Sequence, residues 1–486
     1  MTAGSSSAPG QSPAPAPART PKGMHDVLWP ESARWEAVVA RFADLVGSAG
    51  YGLTVTPILE HAGVFLRGIG EGSEVVGKEM YIFEDRDGQR MALRPEGTAP
   101  IARAFVQHHP VPPWKAWYVA PSFRHENPQQ GRYRQHHQLG VEALGPSDAD
   151  LDVEVVSLAH DFFSGLGLLD VTLKLHSMGD GVCKPGYVSL LGSFLAARAD
   201  QLCAAHRARH LENPLRVLDC KTPECRAATA DAPHFLDHLC DPCAAHFARV
   251  RSGLDALGVG YAIDQRLVRG FDYYTRTTFE FAADALDAAQ NGIGGGGRYD
   301  GLVELLGGDP TPGIGFGIGV ERVLLACDAE GVFSTAAAVA ARPLHAYVID
   351  TAGGETALAL TAELRRAGLR ADRAFDGRSM KSQIKSADRS GALVALVVGP
   401  QELAEGTVGL RPLRSDDEQR TVPRAAIVDE LKSFLANAAF AEGSDNDVDR
   451  HLHPHLRPRQ ADDDGDDTDD GDGDDTDETD TESETT

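Results

Sequence analysis

The chain has 486 residues, 42% hydrophobic and 24% charged, which is enough for two to three domains with sizeable cores. Its formal charge of −26 is uneven: residues 462–484 hold 15 acidic side chains and no basic one, so the remainder carries −11, and a nucleic-acid partner needs only a local basic surface. No run is apolar enough to span a membrane, no secretory pattern opens the chain, and seven cysteines fit reduced thiols better than a disulfide framework, which together predict a cytoplasmic protein with no membrane partner.

Residues 1–19 are Ser, Ala, Pro and Gly in near repeat and read as a disordered leader. The apolar spacing of SARWEAVVARFADLVGSAGYG predicts an amphipathic helix ended by Gly50 and Gly52. LTVTPILE follows as a strand, and because Pro57 cannot donate to a ladder, that strand belongs at an edge or a subunit interface. MYIFEDRDGQRMALRPEGTAPIARAF predicts a hairpin turning at Asp87-Gly88, then a loop and a helix. At the junction, Glu96 and Thr98 either cap the helix or face a ligand.

Residues 121–145, PSFRHENPQQGRYRQHHQLGVEALG, predict two strands joined by a charged loop. Gln138, Gly140 and Glu142 share one strand face, and Arg124, Arg132 and Arg134 cluster near the loop. Guanidinium forks there suit a polyphosphate, and Gln138 with Glu142 suits an ammonium or imidazole group. An amphipathic hairpin with solvated arginines is the other reading.

A helix is expected over 148–165, a strand at VTLKLHSMG, and a mainly helical insertion over 182–251. Cys220, Cys225, Cys240 and Cys243, two closely spaced pairs, are either one tetrahedral zinc site or free thiols. RLVRGFDYYTRTTFE places strand formers on both sides of Arg269. The glycine run NGIGGGGRYDG allows backbone to approach a ligand closely, yet lacks the residues of a P-loop. GIGFGIGVERVLLACDA predicts a strand and then a helix beginning near Gly319, with Arg322 at its start, where phosphate binds. From 342 onward, strands and helices alternate as in an α/β domain. Arg378, Lys381, Lys385 and Arg389 on its second helix are a solvated face or an RNA patch. The acidic end is disordered by composition.

FRHE, GRYRQ, HQ and VE in this order resemble motif 2 of class II aminoacyl-tRNA synthetases, in the form found in histidyl-tRNA synthetases. LRPEGT, RGFDYYT, GGGGRYDG and the Arg322 segment resemble further signatures of that family, with Phe271 replacing the usual Leu. The resemblance implies an α+β catalytic domain on a mostly antiparallel sheet over 20–341, a C-terminal α/β anticodon-binding domain over 342–438, and disordered residues at 1–19 and 439–486. It implies ATP-dependent attachment of L-histidine to tRNA(His), with Mg2+ bridging the phosphates. Arg124 and Arg269 are then catalytic at the α-phosphate. Glu126, Arg132 and Arg322 join them around ATP, and Glu96, Gly97, Thr98, Gln138, Glu142, Tyr273 and Tyr274 form the histidine pocket. Motif 1, around the helix and Pro57 strand, implies a homodimer. The alternative is an inactive synthetase-like subunit that regulates histidine biosynthesis.

Overall fold

The computed structural model describes residues 18–69, 75–268, 273–286, 291–353 and 355–442, the last five without their side chains. The chain divides into two compact units, Met1–Arg342 and Pro343–Thr486.

The first unit opens with α1 (Glu31–Ser48), β1 (Gly52–Leu53), β2 (Leu59–His61), α2 (Ala62–Ile69), β3 (Ile82–Glu84), β4 (Arg90–Leu93) and α3 (Thr98–His108). The hairpin β5 (Trp114–Phe123) and β6 (Gln135–Leu144) follows, then α4 (Ala149–Gly165) and β7 (Val171–Ser177). The insertion holds α5 (Lys184–Ala196), three short helices α6 (Ala204–Arg207), α7 (Pro214–Leu218) and α8 (Pro223–Ala228), and the return helix α9 (Asp241–Ala256). The unit closes with β8 (Ala262–Ile263), β9 (Thr275–Ala283), β10 (Gly292–Arg298), α10 (Leu302–Leu305), β11 (Gly313–Gly319), α11 (Val320–Glu330) and α12 (Thr335–Ala340).

Its main sheet runs β1-β5-β6-β11-β10-β9-β7-β8. The six inner strands pair antiparallel, while β1 and β8 add parallel edges. Period-2 alternation sorts the two faces. Leu139, Val141 and Ala143 of β6 and Ile314, Phe316 and Ile318 of β11 enter a core with Phe42 of α1, Phe162 and Phe163 of α4, and Phe247 of α9. The opposite face pairs Gln138, Gly140 and Glu142 with Gly319, Gly317 and Gly315.

The single strand expected over 53–60 is two strands in two sheets. β1 lies beside β5, whereas β2 joins β4 and β3 in a separate antiparallel sheet. Pro57, between them, has no N–H to continue a ladder, and the Arg94 guanidinium donates instead to the Thr56 carbonyl and hydroxyl. The hairpin at Asp87-Gly88 forms as expected, with Gly88 at φ 76°. Residues before Arg269 are not a strand: Arg266 sits in a turn on Asp264.

The second unit comprises β12 (Ala346–Asp350), α13 (Glu355–Arg366), β13 (Ala371–Arg373), α14 (Met380–Arg389), β14 (Val394–Val398), α15 (Pro400–Glu405), β15 (Thr407–Pro412), β16 (Arg420–Pro423) and α16 (Ile427–Glu442). Its sheet order is β13-β12-β14-β15-β16, parallel through β14 and antiparallel beyond it. Val394, Leu396 and Val398 feed one apolar cluster and Ala395 and Val397 another, so β14 is covered on both faces. A near-continuous apolar strand is what such burial requires.

Within the first unit, Arg298 is fully buried and joins β10 to α4. Its Nε donates to Asp152 Oδ1 at 3.0 Å, and its other nitrogens donate to the carbonyls of Pro146 and Asp148. His246 Nε2 of α9 lies 2.8 Å from Asp152 Oδ2. Removing one partner of a buried ion pair strands the other charge, at about 3–5 kcal/mol. Asp152→Ala is therefore expected to lower the unfolding free energy in urea by about that much, whereas a loss below about 1 kcal/mol would be the signature of an exposed pair.

Candidate active site

The glycine-lined face of the main sheet holds one buried carboxylate at its centre. Glu142 on β6 accepts hydrogen bonds from the Thr98 hydroxyl at 2.7 Å and the Tyr118 hydroxyl at 3.3 Å on Oε1, and from the Tyr299 hydroxyl at 2.5 Å on Oε2. Burial pushes its carboxyl up to about 8, against the opposite pull of these donors. Burial also holds the Tyr118 and Tyr299 phenols well above their ordinary range, so both remain donors.

Glycine makes this cluster sterically possible. A Cβ on Gly315 would stand 1.9 Å from Glu142 Oε2, and one on Gly97 would stand 2.3 Å from the Tyr118 ring. Gly97 is the N-cap of α3. Beside it, Glu96 Oε2 accepts from the Thr98 backbone N–H at 2.7 Å and Oε1 from that of Ala99 at 2.8 Å. Glu96 therefore caps α3 through both oxygens, and the Thr98 hydroxyl points to Glu142. Burial raises the Glu96 pKa despite those two donors.

Gln138, two residues before Gly140 on the same face, accepts from Ser122 Oγ at 3.4 Å. The Tyr273 ring is 4.8 Å from that of Tyr274 and 5.8 Å from that of Tyr299, which brings the YY pair to the same cluster. Burial first, then Tyr274, Glu96 and Glu142, raise the Tyr273 phenol, so it senses both carboxylates. Arg269 lies outside the described residues.

Arginines gather at the open end of the β5–β6 hairpin. Arg124 Nε donates to the Pro95 carbonyl at 3.0 Å. Arg132 lies 3.6 Å from Glu126. Arg322, in the first turn of α11, donates to the carbonyls of Gly131 at 2.9 Å and Gly292 at 2.8 Å, linking the hairpin loop to β10. His136 is pushed down to about 3, first by burial and then by the charges of Arg124 and Arg322. Arg322 itself is lowered by burial and then by Arg132, with Glu126 and Glu280 as the opposing carboxylates. A net positive cluster thus lies within electrostatic reach of the buried Glu96 carboxylate, an arrangement suited to a ligand with an anionic and a cationic part.

The sequence reading missed Tyr118 and Tyr299. Tyr118 sits opposite Gly140 in the β5–β6 register, and Tyr299 follows Arg298 in GRYDG, so strand pairing would have found the first. The expected grouping of Cys220, Cys225, Cys240 and Cys243 is corrected: the first two converge with Cys203 and His206, the last two with Asp180 and Cys183. The two pairs do not share one centre because they sit on different elements: Cys220 follows α7 and Cys225 lies in α8, whereas Cys240 and Cys243 open α9.

Three comparisons agree with this architecture. The family model described as histidyl-tRNA synthetase matches residues 23–179 and 196–323, and one described as anticodon binding domain matches 345–434. The chain is 47% identical over 400 residues to a histidine–tRNA ligase of Anaeromyxobacter dehalogenans, covering 82% of this chain and 95% of that protein. It is 48% identical over 418 residues to that of Rhodococcus erythropolis, covering 85% and 97%. Among solved structures, apo histidyl-tRNA synthetase of S. aureus aligns with a TM-score of 0.71 at 32% identity, over 85% of this chain and all of that one. With its glycine-floored carboxylate site and these matches over most of its length, the chain belongs to the histidyl-tRNA synthetase family.

Proposed function

We propose that the chain is a histidine–tRNA ligase whose Glu142 cluster takes the cationic part of L-histidine and whose Arg124–Arg322 hollow takes the ATP phosphates. The observation that carries this reading is the buried Glu142 carboxylate, ringed by three hydroxyls, on the same β5–β6 hairpin whose open end gathers the arginines. A histidine carboxylate oxygen attacks the ATP α-phosphorus, pyrophosphate leaves, and the terminal ribose hydroxyl of tRNA(His) then attacks the acyl carbon and releases AMP. No protein nucleophile is needed, so positioning and charge supply the acceleration.

Arg124 and Arg269 neutralise charge at the α-phosphate, and Arg322 and Arg132 hold the outer phosphates, with Glu126 beside them. Mg2+ would supply further charge neutralisation to ATP when bound, and Glu280 and Glu126, the carboxylates close to Arg322, would help hold it. Glu142, Gln138, Thr98 and the Tyr273–Tyr274 pair hold histidine, while Glu96 and Gly97 set the α3 turn that delivers Thr98. The second unit adds an RNA-facing surface. The Arg373 guanidinium lies 4.5 Å over the exposed Phe375 ring, beside a hollow of about 150 Å³ lined by Tyr347, Arg378 and Gln383. Lys381, Lys385 and Arg389 on α14 are exposed next to it. The matched anticodon-binding domain favours this reading over a regulatory subunit without tRNA chemistry.

Aminoacylation of tRNA(His) with labelled histidine tests the proposal: charging is expected, and its absence with the folded full chain would overturn it. Because burial pushes the Glu142 carboxyl up to about 8, it is largely protonated below that pH. Bound cation requires the carboxylate, so histidine affinity should rise as pH climbs toward about 8, with proton release, and level off above it. Glu142→Gln should remove this dependence and weaken binding roughly tenfold or more, as read by calorimetry across pH. Phe375→Ala should raise the KM for tRNA roughly tenfold and leave histidine activation unchanged, since a lost base stack costs about 1–3 kcal/mol.

The partner in solution is a second copy. Leu53, Val55, Ile58 and Leu59 flank Pro57 as a run of exposed apolar side chains, with Val55 85% exposed. That run borders the edge strand β1, whose outer side is available to pair. Val55→Asp should convert a dimer to a monomer in analytical ultracentrifugation.

A further inference from the structure

The insertion carries two cysteine-rich clusters of metal-ligating side chains that the synthetase chemistry does not use. In the first, the ligand atoms of Cys203, His206, Cys220 and Cys225 all lie within 4.8 Å of one another; in the second, those of Asp180, Cys183, Cys240 and Cys243 do. We propose that each cluster binds one structural zinc ion, one with three thiolates and an imidazole, the other with three thiolates and a carboxylate.

Geometry supports this before any chemistry is invoked. Ligands at about 2.0–2.3 Å from a tetrahedral zinc ion stand about 3.3–3.8 Å from each other. Cys203 Sγ and Cys225 Sγ are 3.3 and 3.7 Å from His206 Nδ1. Cys183 Sγ and Cys240 Sγ are each 3.8 Å from Asp180 Oδ1. A disulfide would instead join two sulfurs at about 2.05 Å, and all seven cysteines are unbridged. Cys327 on α11 belongs to neither group, so it serves as an internal control.

The backbone positions the sulfurs. Cys240 is the N-cap of α9 and Cys243 lies in its first turn; Cys225 lies in the first turn of α8. Backbone N–H groups reach sulfur directly, from Cys203 to Cys225 Sγ and from Asp180 to Cys183 Sγ, both at 3.4 Å, the outer contacts that orient metal ligands. Thiolate-rich tetrahedral sets favour zinc over the hard Mg2+ that accompanies ATP. Four protein ligands leave no open position, so both sites are structural rather than catalytic.

Their placement explains what they hold. The helices α6, α7 and α8 are only four to six residues long, too short to persist on their own, and the Cys203 cluster ties α6 and α8 to the stretch after α7. The Asp180 cluster clamps the start of the insertion, just past β7, to its end at α9. It also touches the active-site region: Asp180 is 3.7 Å from Arg276, and Lys184 Nζ donates to the Tyr274 carbonyl at 3.1 Å.

The test is metal content of the full chain, purified without chelator, by plasma mass spectrometry. About two zinc ions per chain are expected, falling to about one in Cys220→Ser and in Cys240→Ser and unchanged in Cys327→Ser. Cobalt exchanged into the wild-type chain should give thiolate charge-transfer and intense tetrahedral d–d bands, which needs no variant to fold. One ion or none in the wild type, or octahedral cobalt spectra, would overturn the two-site assignment.

Discussion

A carboxylate removed from water must be solvated by the protein, and the first unit is built around meeting that demand for Glu142. Three hydroxyls from three separate segments, the α3 turn, β5 and the end of β10, converge on it. They can reach it only because the neighbouring strand presents no side chains: Gly315, Gly317 and Gly319 lie opposite Glu142, Gly140 and Gln138. A methyl group at Gly315 would occupy the space of the carboxylate oxygen itself. The glycine-rich strands are thus as much a part of the site as the polar residues.

The second feature is the separation of opposite charges on one surface. Glu142 and Glu96 are buried beneath the sheet face, while Arg124 and Arg132 stand close enough to Arg322 to add to the lowering that burial imposes on it, and Arg124 and Arg322 help burial keep His136 neutral. Bringing such guanidiniums together without a counter-anion is unfavourable, and a bound polyphosphate offsets it. Rigid strands set the spacing between the two regions, which is what in-line attack between an amino-acid carboxylate and a phosphate requires. Arg298, despite sitting within the glycine-rich signature, serves the scaffold: it is consumed by Asp152 and two carbonyls.

Legibility in the sequence followed how local each feature is. The β5–β6 hairpin, the α3 junction and the Gly319-to-Arg322 step were readable because period, turn residues and chemistry sit within a few residues of each other. The strand around Pro57 was not, because its division between two sheets depends on Arg94, nearly forty positions away, taking the Thr56 carbonyl. The hydroxyl ring was half-read: Thr98 was named, whereas Tyr118 becomes visible only once strand register sets it opposite Gly140, and Tyr299, just past β10, only through its contact with Glu142. The cysteine clusters show the same limit. Cys240-x2-Cys243 announces a ligand pair, but its partners Asp180 and Cys183 lie some sixty residues upstream, at the far end of the insertion, and no local pattern links them. Asp180-x2-Cys183 and Cys203-x2-His206 carry a ligand-pair spacing too, but not the information on which pairs converge.

The most direct measurement is pyrophosphate–ATP exchange with each standard amino acid supplied alone, on the wild-type chain and on Arg269→Ala. Exchange driven by histidine only, and lost in the variant, is the expected result. Exchange driven by a different amino acid, or none with histidine, would contradict the assignment of the Glu142 cluster as the histidine pocket.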